Sequence, residues 1–217
     1  MRIVCLSDTH NLQDRIEVPD GDVLLHAGDF TGRGTPAEIA AFGEALAALP
    51  HRHKLVIAGN HDFLFQSDPE EARKLLGDVT YLEDAGAHVE GLHVWGSPWQ
   101  PWFHDWAFNL PRGKRLAEKW ALAPESVDVL VTHGPPRGIL DTTFRGEVVG
   151  CEELELARAR IRPRLHVFGH IHESFGTHRA DGILSVNACS CDLRYRPVNP
   201  PVVVDWDGDE LRLVATL

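Results

Sequence analysis

Long apolar stretches are missing from this 217-residue chain. None approaches the ~20 residues that a bilayer-spanning helix needs. The first residues, MRIVCLSDTH, run straight into a core-like strand without the apolar leader and cleavage site of a signal peptide. A soluble, cytoplasmic protein that engages no membrane is expected. Cysteine is scarce, and Cys5, Cys151, Cys189 and Cys191 show neither CxxC spacing nor a disulfide framework, so they are expected as buried thiols. Positive charge is short as well. With 21 Lys and Arg against 32 Asp and Glu the formal charge is −11, which argues against broad nucleic-acid binding, a process driven by clustered cations. Repeats and low-complexity linkers are absent too. A chain of this length with 43% hydrophobic content can bury one sizeable core, and a single domain over 1–217 is expected.

Five apolar runs carry the information. IVCLSDTH ends in Asp8 and His10, VLLHAGD in Asp29, LVIAGNHD in Asn60, His61 and Asp62, VDVLVTHGPP in His133, and LHVFGHIHES in His170 and His172. Each run has the length of a strand buried on both faces, the pattern of a sheet covered by helices. Such sheets bind ligands beyond the carboxyl ends of their strands. Any one histidine there is as well explained as a turn residue; five runs with the same ending point to one rim of ligands. His26, His93 and His166 lie inside strand-like runs and are expected as core histidines.

Helices separate several strands. TPAEIAAFGEALAALP offers Thr35 as N-cap, Pro36 at the first helical position, Glu38 to complete a capping box, and Ile39, Phe42, Leu46 and Leu49 as one apolar face. SDPEEARKLLG starts at the cap Asp68 with Pro69 next and stops at Gly77, and its expected neighbour is the strand around Leu92 to Trp95. A helix from Glu152 to Ile161 places Leu154, Ala157 and Ile161 on one stripe and halts before Pro163, and RGKRLAEKW reads as an amphipathic helix burying Leu116 and Trp120. The tail alternates apolar and polar residues around Asp207-Gly208, a two-residue hairpin signal. An α/β fold with a partly antiparallel sheet follows.

Taken as metal ligands, Asp8, His10, Asp29, Asn60, His133, His170 and His172 exceed one tetrahedral ion and suit two ions bridged by a carboxylate. Nitrogen and oxygen donors without thiolate favour manganese, iron or zinc over calcium or magnesium. The series D8-x-H10, G28-D29, G59-N60-H61-D62, H133 and G169-H170-I171-H172 resembles the signature of the calcineurin-like metallophosphoesterases. WGSPWQPWFHDWAFNLPRG and VNACSCDLRYRPVNPPVVVDW look like the branch of metallophosphoesterase-domain-containing proteins, a likeness over nearly the whole chain. The resemblance implies two packed mixed β-sheets flanked by helices. It implies Asp8, His10, Asp29 and His172 on one metal and Asp29, Asn60, His133 and His170 on the other, with Asp29 as the bridge. It gives His61 the task of contacting the phosphoryl group or protonating the leaving alkoxide. The activity implied is phosphodiester hydrolysis, on cyclic nucleotides or aryl and alkyl diesters, by in-line attack of a metal-bridging hydroxide; phosphomonoesterase or phosphoprotein phosphatase action and a non-catalytic scaffold are the rival readings. Some animal members of that branch lack a metal-binding histidine, whereas His170 is present here.

One departure stands out. The protein-phosphatase branch carries GDxxDRG, but this chain reads GDFTGRG, so Gly32 stands where an acid would orient the catalytic histidine, and its partner is open. Arg33 keeps the place of a phosphate clamp or is a solvated loop residue in equal measure; Asp62 is a weaker candidate for holding His61. The segment from Trp95 to Phe108 packs six aromatic residues, a core cap in the main, with Trp99 and Trp102 the candidates to line a substrate pocket and His104 a further polar contact. This segment and the hairpin are the surfaces on which the sequence would allow a homodimer.

Overall fold

The computed structural model describes residues 1–208 and 210–214. Along the chain run strands β1 (Arg2–Leu6), β2 (Val23–His26), β3 (His53–Val56), β4 (Thr80–Tyr81), β5 (Ala85–Val89), β6 (Leu92–Ser97), β7 (Gln100–Pro101), β8 (Asn109–Leu110), β9 (Val129–Thr132), β10 (Leu165–Phe168), β11 (Gly176–Ala180), β12 (Ile183–Asn187), β13 (Val202–Trp206) and β14 (Leu211–Val214). The helices are α1 (Pro36–Ala47), α2 (Phe63–Ser67), α3 (Pro69–Leu76), α4 (Lys114–Trp120) and α5 (Glu152–Ile161).

Two six-stranded sheets form, in the orders β14-β13-β1-β2-β3-β4 and β11-β12-β10-β9-β6-β5. Four neighbouring strands in each are parallel. Antiparallel partners close the first sheet on one side and the second on both. Strand side chains alternate between faces, and here both faces are covered. Ile3, Cys5, Leu25, Leu55, Val129, Val131, Val167 and Val186 meet between the sheets, while Val4, Leu6 and Leu24 turn to Ile39 and Phe42 of α1 and Leu76 of α3. On the far side Leu130 meets Leu116 of α4 and Leu154 of α5. That double burial explains the unbroken Val, Ile and Leu runs.

Helix starts follow their caps. Thr35 and Glu38 make the reciprocal capping box, the Asp68 carboxylate accepts from the Glu71 amide, and Arg162 ends α5 in a left-handed conformation just before Pro163. One expectation is corrected. Helix α3 packs with Phe42 on the first sheet, whereas the strand at Leu92 belongs to the second; Ala72 and Leu76 complete the apolar surface of α1 instead. The tail hairpin forms around Asp207-Gly208, its strand register running to Trp206–Leu211 and the Asp207 amide donating to the Glu210 carbonyl at 3.3 Å. Asp209 and residues 215–217 of that segment lie outside the described residues.

Candidate metal centre

Strands β1, β2 and β3 of one sheet and β9 and β10 of the other end on the same rim, and the loops after them carry the seven candidate ligands. Asp8, His10, Asp29, Asn60 and His133 are buried, and His61, His170 and His172 are half-buried. The histidine rings stand within contact of one another, His10 5.3 Å from His172 and His133 5.0 Å from His170. Asp29 lies between the two groups, with Oδ2 3.4 Å from His133 Nε2 and 3.8 Å from His61 Nε2. Asp8, His10, Asp29 and His170 all adopt positive φ, between 43° and 68°. Such backbone is costly away from glycine and concentrates at functional sites.

Two glycines make this crowding feasible. A Cβ on Gly59 would lie 2.2 Å from Asp29 Oδ1 and 2.6 Å from His133 Cε1, and one on Gly169 would lie 2.0 Å from Asp8 Oδ2. The glycines of GNHD and GHIH are there because carboxylates occupy the space.

Backbone carbonyls hold the imidazoles. His10 Nδ1 faces the Thr31 carbonyl at 3.3 Å, His133 Nδ1 that of Ala27 at 2.9 Å, and His172 Nδ1 that of Asp192 at 3.0 Å. A carbonyl only accepts, so each Nδ1 carries hydrogen and a neutral ring turns its Nε2 lone pair inward. Those lone pairs converge on one another and on oxygens. His10 Nε2 and His172 Nε2 are 3.4 Å apart. His133 Nε2 is 3.0 Å from Asn60 Oδ1. Buried Asp8 Oδ1 has no hydrogen bond and sits 3.2 Å from His172 Nε2. Acceptors turned on acceptors require positive charge among them. In its absence protons do this work. Burial opposes them, but the Asp29 carboxylate raises the pKa of His133 to about 9, and hydrogen bonding to Asp8 raises that of His172 to about 9. Nitrogen and carboxylate donors with orphaned lone pairs fit transition-metal ions.

The open partner of His61 is the backbone of Gly32. His61 Nδ1 donates to the Gly32 carbonyl at 2.8 Å, in place of the missing acid, and leaves Nε2 toward the cleft. Asp62 does not touch that ring. It accepts from the amides of Asp29 (2.9 Å), Thr31 (3.0 Å) and Gly59 (2.7 Å) and from the Thr31 hydroxyl, tying the loops after β2 and β3 together. Burial, and next the neighbouring Asp29 charge, push its pKa up to about 7.

A cleft of about 530 Å³ opens over the cluster, reaching Asp29, Asn60, His61, His170 and His172. Trp102, Phe103, Trp106, Phe144 and Tyr195 wall it. The tryptophan segment thus divides. Trp102 lines the cleft, but Trp99 does not reach it: its ring packs edge-on against Phe108, its Nε1 donates to Asp84, and Lys119 sits 4.1 Å above it. Arg33 is exposed and outside the cleft wall, as is His104. Of the core histidines, His26 is fully satisfied by Thr9 and the Gly28 amide, and burial lowers its pKa to about 3. His166 bonds Thr132 through Nε2, and His93 is half-buried with Nδ1 on the Ser126 carbonyl.

Sequence reading missed three contributors. Trp106 packs against His61 with centroids 4.3 Å apart. Gln100 Nε2 donates to Asn60 Oδ1 at 3.0 Å and fixes that amide. All four cysteines are free and buried, yet Cys189 Sγ donates to Asp8 Oδ2 at 3.1 Å. None carries a local signal, because each acts through a fold contact far away in the chain. Among the described residues no helix is long and apolar enough to cross a membrane.

Comparison with known proteins agrees with this geometry. The chain is 48% identical to human metallophosphoesterase domain-containing protein 1 over 94% of its own length and 70% of that protein. It is 38% identical to UPF0046 protein K07C11.7 of Caenorhabditis elegans, over 94% and 74%. Among solved structures, TT1561 of Thermus thermophilus superposes with a TM-score of 0.65 at 15% identity, covering 98% of this chain and 97% of that one. A structure described as a novel archaeal phosphodiesterase gives 0.53 at 17%, covering 99% of each chain; both show the shared fold. The calcineurin-like phosphoesterase profile matches residues 1–174, and with that match the chain belongs to the calcineurin-like metallophosphoesterase family.

Proposed function

We propose that the protein hydrolyses phosphodiesters. The observation that carries this reading is the set of inward-facing lone pairs and carboxylates on the floor of a cleft whose walls are aromatic. Asp8, His10, Asp29 and His172 would hold one ion and Asp29, Asn60, His133 and His170 a second. Bound manganese, iron or zinc supplies positive charge for the phosphoryl oxygens and lowers the pKa of water.

The residues do the rest. Asp29 lies between both groups, and Gln100 keeps the Asn60 oxygen aimed at the second. With Nδ1 held by Gly32, His61 presents Nε2 to the cleft; when that nitrogen is protonated it donates to the leaving oxygen as a general acid. A doubly charged monoester needs further cations. Of the two arginines of the wall, Arg112 is taken up by Glu152 and the carbonyls of Val149 and Gly150, which leaves only the exposed Arg145, over the Phe144 ring at 5.3 Å. Aromatic walls instead suit the second substituent of a diester, such as a nucleobase or an aryl group.

The test is hydrolysis of bis(4-nitrophenyl) phosphate beside 4-nitrophenyl phosphate and 2′,3′- and 3′,5′-cyclic nucleotides, on metal-stripped protein refilled with manganese, iron or zinc. Diester turnover should exceed monoester turnover, vanish in Asp29→Ala, and fall by about 10²-fold or more in His61→Ala. Monoester preference would overturn the diesterase reading. Stoichiometric metal binding without turnover of any ester would leave a metal-binding scaffold.

A further inference from the structure

We propose that Tyr195 is a specificity-determining residue, the wall against which a flat apolar substituent of the substrate packs; this rests on the diesterase reading above. Among the described residues it is the one tyrosine with a positive φ, 54°. Its surroundings explain the backbone. Cys191 and Pro197 form an antiparallel bridge, the Tyr195 amide donates to the Asp192 carbonyl at 2.8 Å, and the Asp192 amide donates to the Arg196 carbonyl at 2.9 Å. This is a three-residue hairpin loop, a turn followed by one left-handed residue, and that last position ordinarily takes glycine. A bulky aromatic there is a true outlier.

The loop has no freedom to relax. Asp192 Oδ1 accepts from the amides of Arg194 (2.9 Å) and Arg196 (3.0 Å), and the Arg196 guanidinium clasps Asp192 Oδ2. The Asp192 carbonyl that receives the Tyr195 amide also receives His172 Nδ1. One short loop therefore orients a candidate metal ligand and throws the Tyr195 ring over the centre. That ring stands edge-on to His10 at 4.7 Å, with His172 at 5.9 Å and His61 at 6.2 Å. It remains 49% exposed, so burial does not repay the backbone cost. Across His61 stands Trp106, 4.3 Å from the imidazole. Two aromatic rings thus flank the histidine placed to face the leaving oxygen. A position that favours glycine, filled by a ring half in solvent at the mouth of the cleft, points to contact with a ligand.

The experiment compares Tyr195→Gly, Tyr195→Phe and the parent protein, metal-loaded. It measures thermal midpoint, kcat/KM for aryl against methyl aryl diesters, and inhibition constants of diphenyl against dimethyl phosphate. Tyr195→Gly should keep or raise the midpoint, since glycine relieves the backbone. It should also lower the preference for the diphenyl over the dimethyl compound about tenfold, the scale of one stacking contact. Tyr195→Phe should retain the preference. A lower midpoint in Tyr195→Gly with an unchanged preference overturns the proposal and makes the ring structural, while parent turnover still upholds the diesterase reading. If the parent turns over no diester but diphenyl phosphate binding still weakens selectively in Tyr195→Gly, the diesterase reading fails and the aromatic wall stands. Absence of both effects overturns both.

Discussion

Gly169 lacks a side chain because the Asp8 carboxylate and the Ser7 hydroxyl fill the place one would need, 2.0 and 2.1 Å from an added Cβ. Ser7 and Asp8 are wholly buried at the end of β1, so neither can withdraw. Gly169→Ala should therefore push the Asp8 carboxylate off its two donors, the His170 amide and the Cys189 thiol. Metal content per chain, measured by elemental analysis after dialysis, should fall from about two toward one, with affinity at the Asp8 group down roughly 10- to 100-fold, the usual cost of disturbing the groups that orient a ligand. Overpacking adds about 1–3 kcal/mol of destabilisation. Retention of both ions would show that the loop yields and that the glycine is not needed for the carboxylate. At this scale the sequence was legible where residue type decides. Asp, His and Asn at strand ends are chemistry that a reader can see. It was illegible where the backbone does the work: the carbonyls of Ala27, Thr31, Gly32 and Asp192 that hold four imidazoles belong to residues whose side chains say nothing about it. Orientation was equally hidden in the tryptophan segment, where composition could not tell that Trp102 and Trp106 face the cleft and Trp99 the core.

Helix α1 shows how an element reaches the site without touching the ligand. Its capping glutamate serves more than the helix. Glu38 Oε2 accepts from the Thr35 amide at 2.8 Å, as a capping box requires, but Oε1 accepts from Asn11 Nδ2 at 2.6 Å and from the Gly32 amide at 3.2 Å. Asn11 follows His10, and Gly32 carries the carbonyl that holds His61. Partial burial alone would raise the pKa of this carboxyl; the hydrogen bonds from Thr35, Asn11 and the Arg33 amide outweigh it and hold the pKa below the usual range. Glu38→Ala should destabilise the fold by about 1–2 kcal/mol, the range for a lost cap, read from the urea midpoint. It should also slow diester hydrolysis through kcat more than KM, since His61 loses its fixed orientation while the cleft walls stay in place. Thr35→Ala should match it in stability but not in kcat, because Asn11 and Gly32 keep their acceptor. Equal kinetic effects would confine Glu38 to capping. Elements of this kind are easily read, since capping chemistry is local: Thr35, Asp68 and Pro69 mark the starts that form. Partner choice is not local, and the apolar stripe of α3 fits either sheet until α1 is seen beside it.

Across the whole molecule the candidate ligands come from both sheets: Asp8, Asp29 and Asn60 from the first, His133, His170 and His172 from the second. Hydrogen bonds already cross between the sheets at this rim, the Ser190 amide to the Ser7 carbonyl at 2.8 Å and His133 Nδ1 to the Ala27 carbonyl at 2.9 Å, and ions held there would fasten one sheet further to the other. Metal binding is then folding energy, because the unfolded chain presents no such constellation. At a free-ion concentration about 1,000 times the dissociation constant the gain is ~4 kcal/mol, which for a chain of this size corresponds to roughly 8–16 °C in melting temperature. The pH dependence has a definite sign. In the metal-free protein His133 and His172 carry pKa values raised to about 9, above the ordinary 6.5, so their protons contribute stability that is full below pH 6.5 and lost as pH rises through about 9. Metal bound there would take the place of those protons. The melting temperature of stripped protein should thus fall between pH 7 and 9.5, the metal-loaded value should change less, and the increment from metal should widen. Calorimetry at pH 7 in buffers of different ionisation enthalpy should register proton release on metal addition. Asp29→Ala should show little increment at any pH, since it removes the carboxylate between the two groups. An increment that shrinks with rising pH would mean that the ions bind elsewhere than among these histidines.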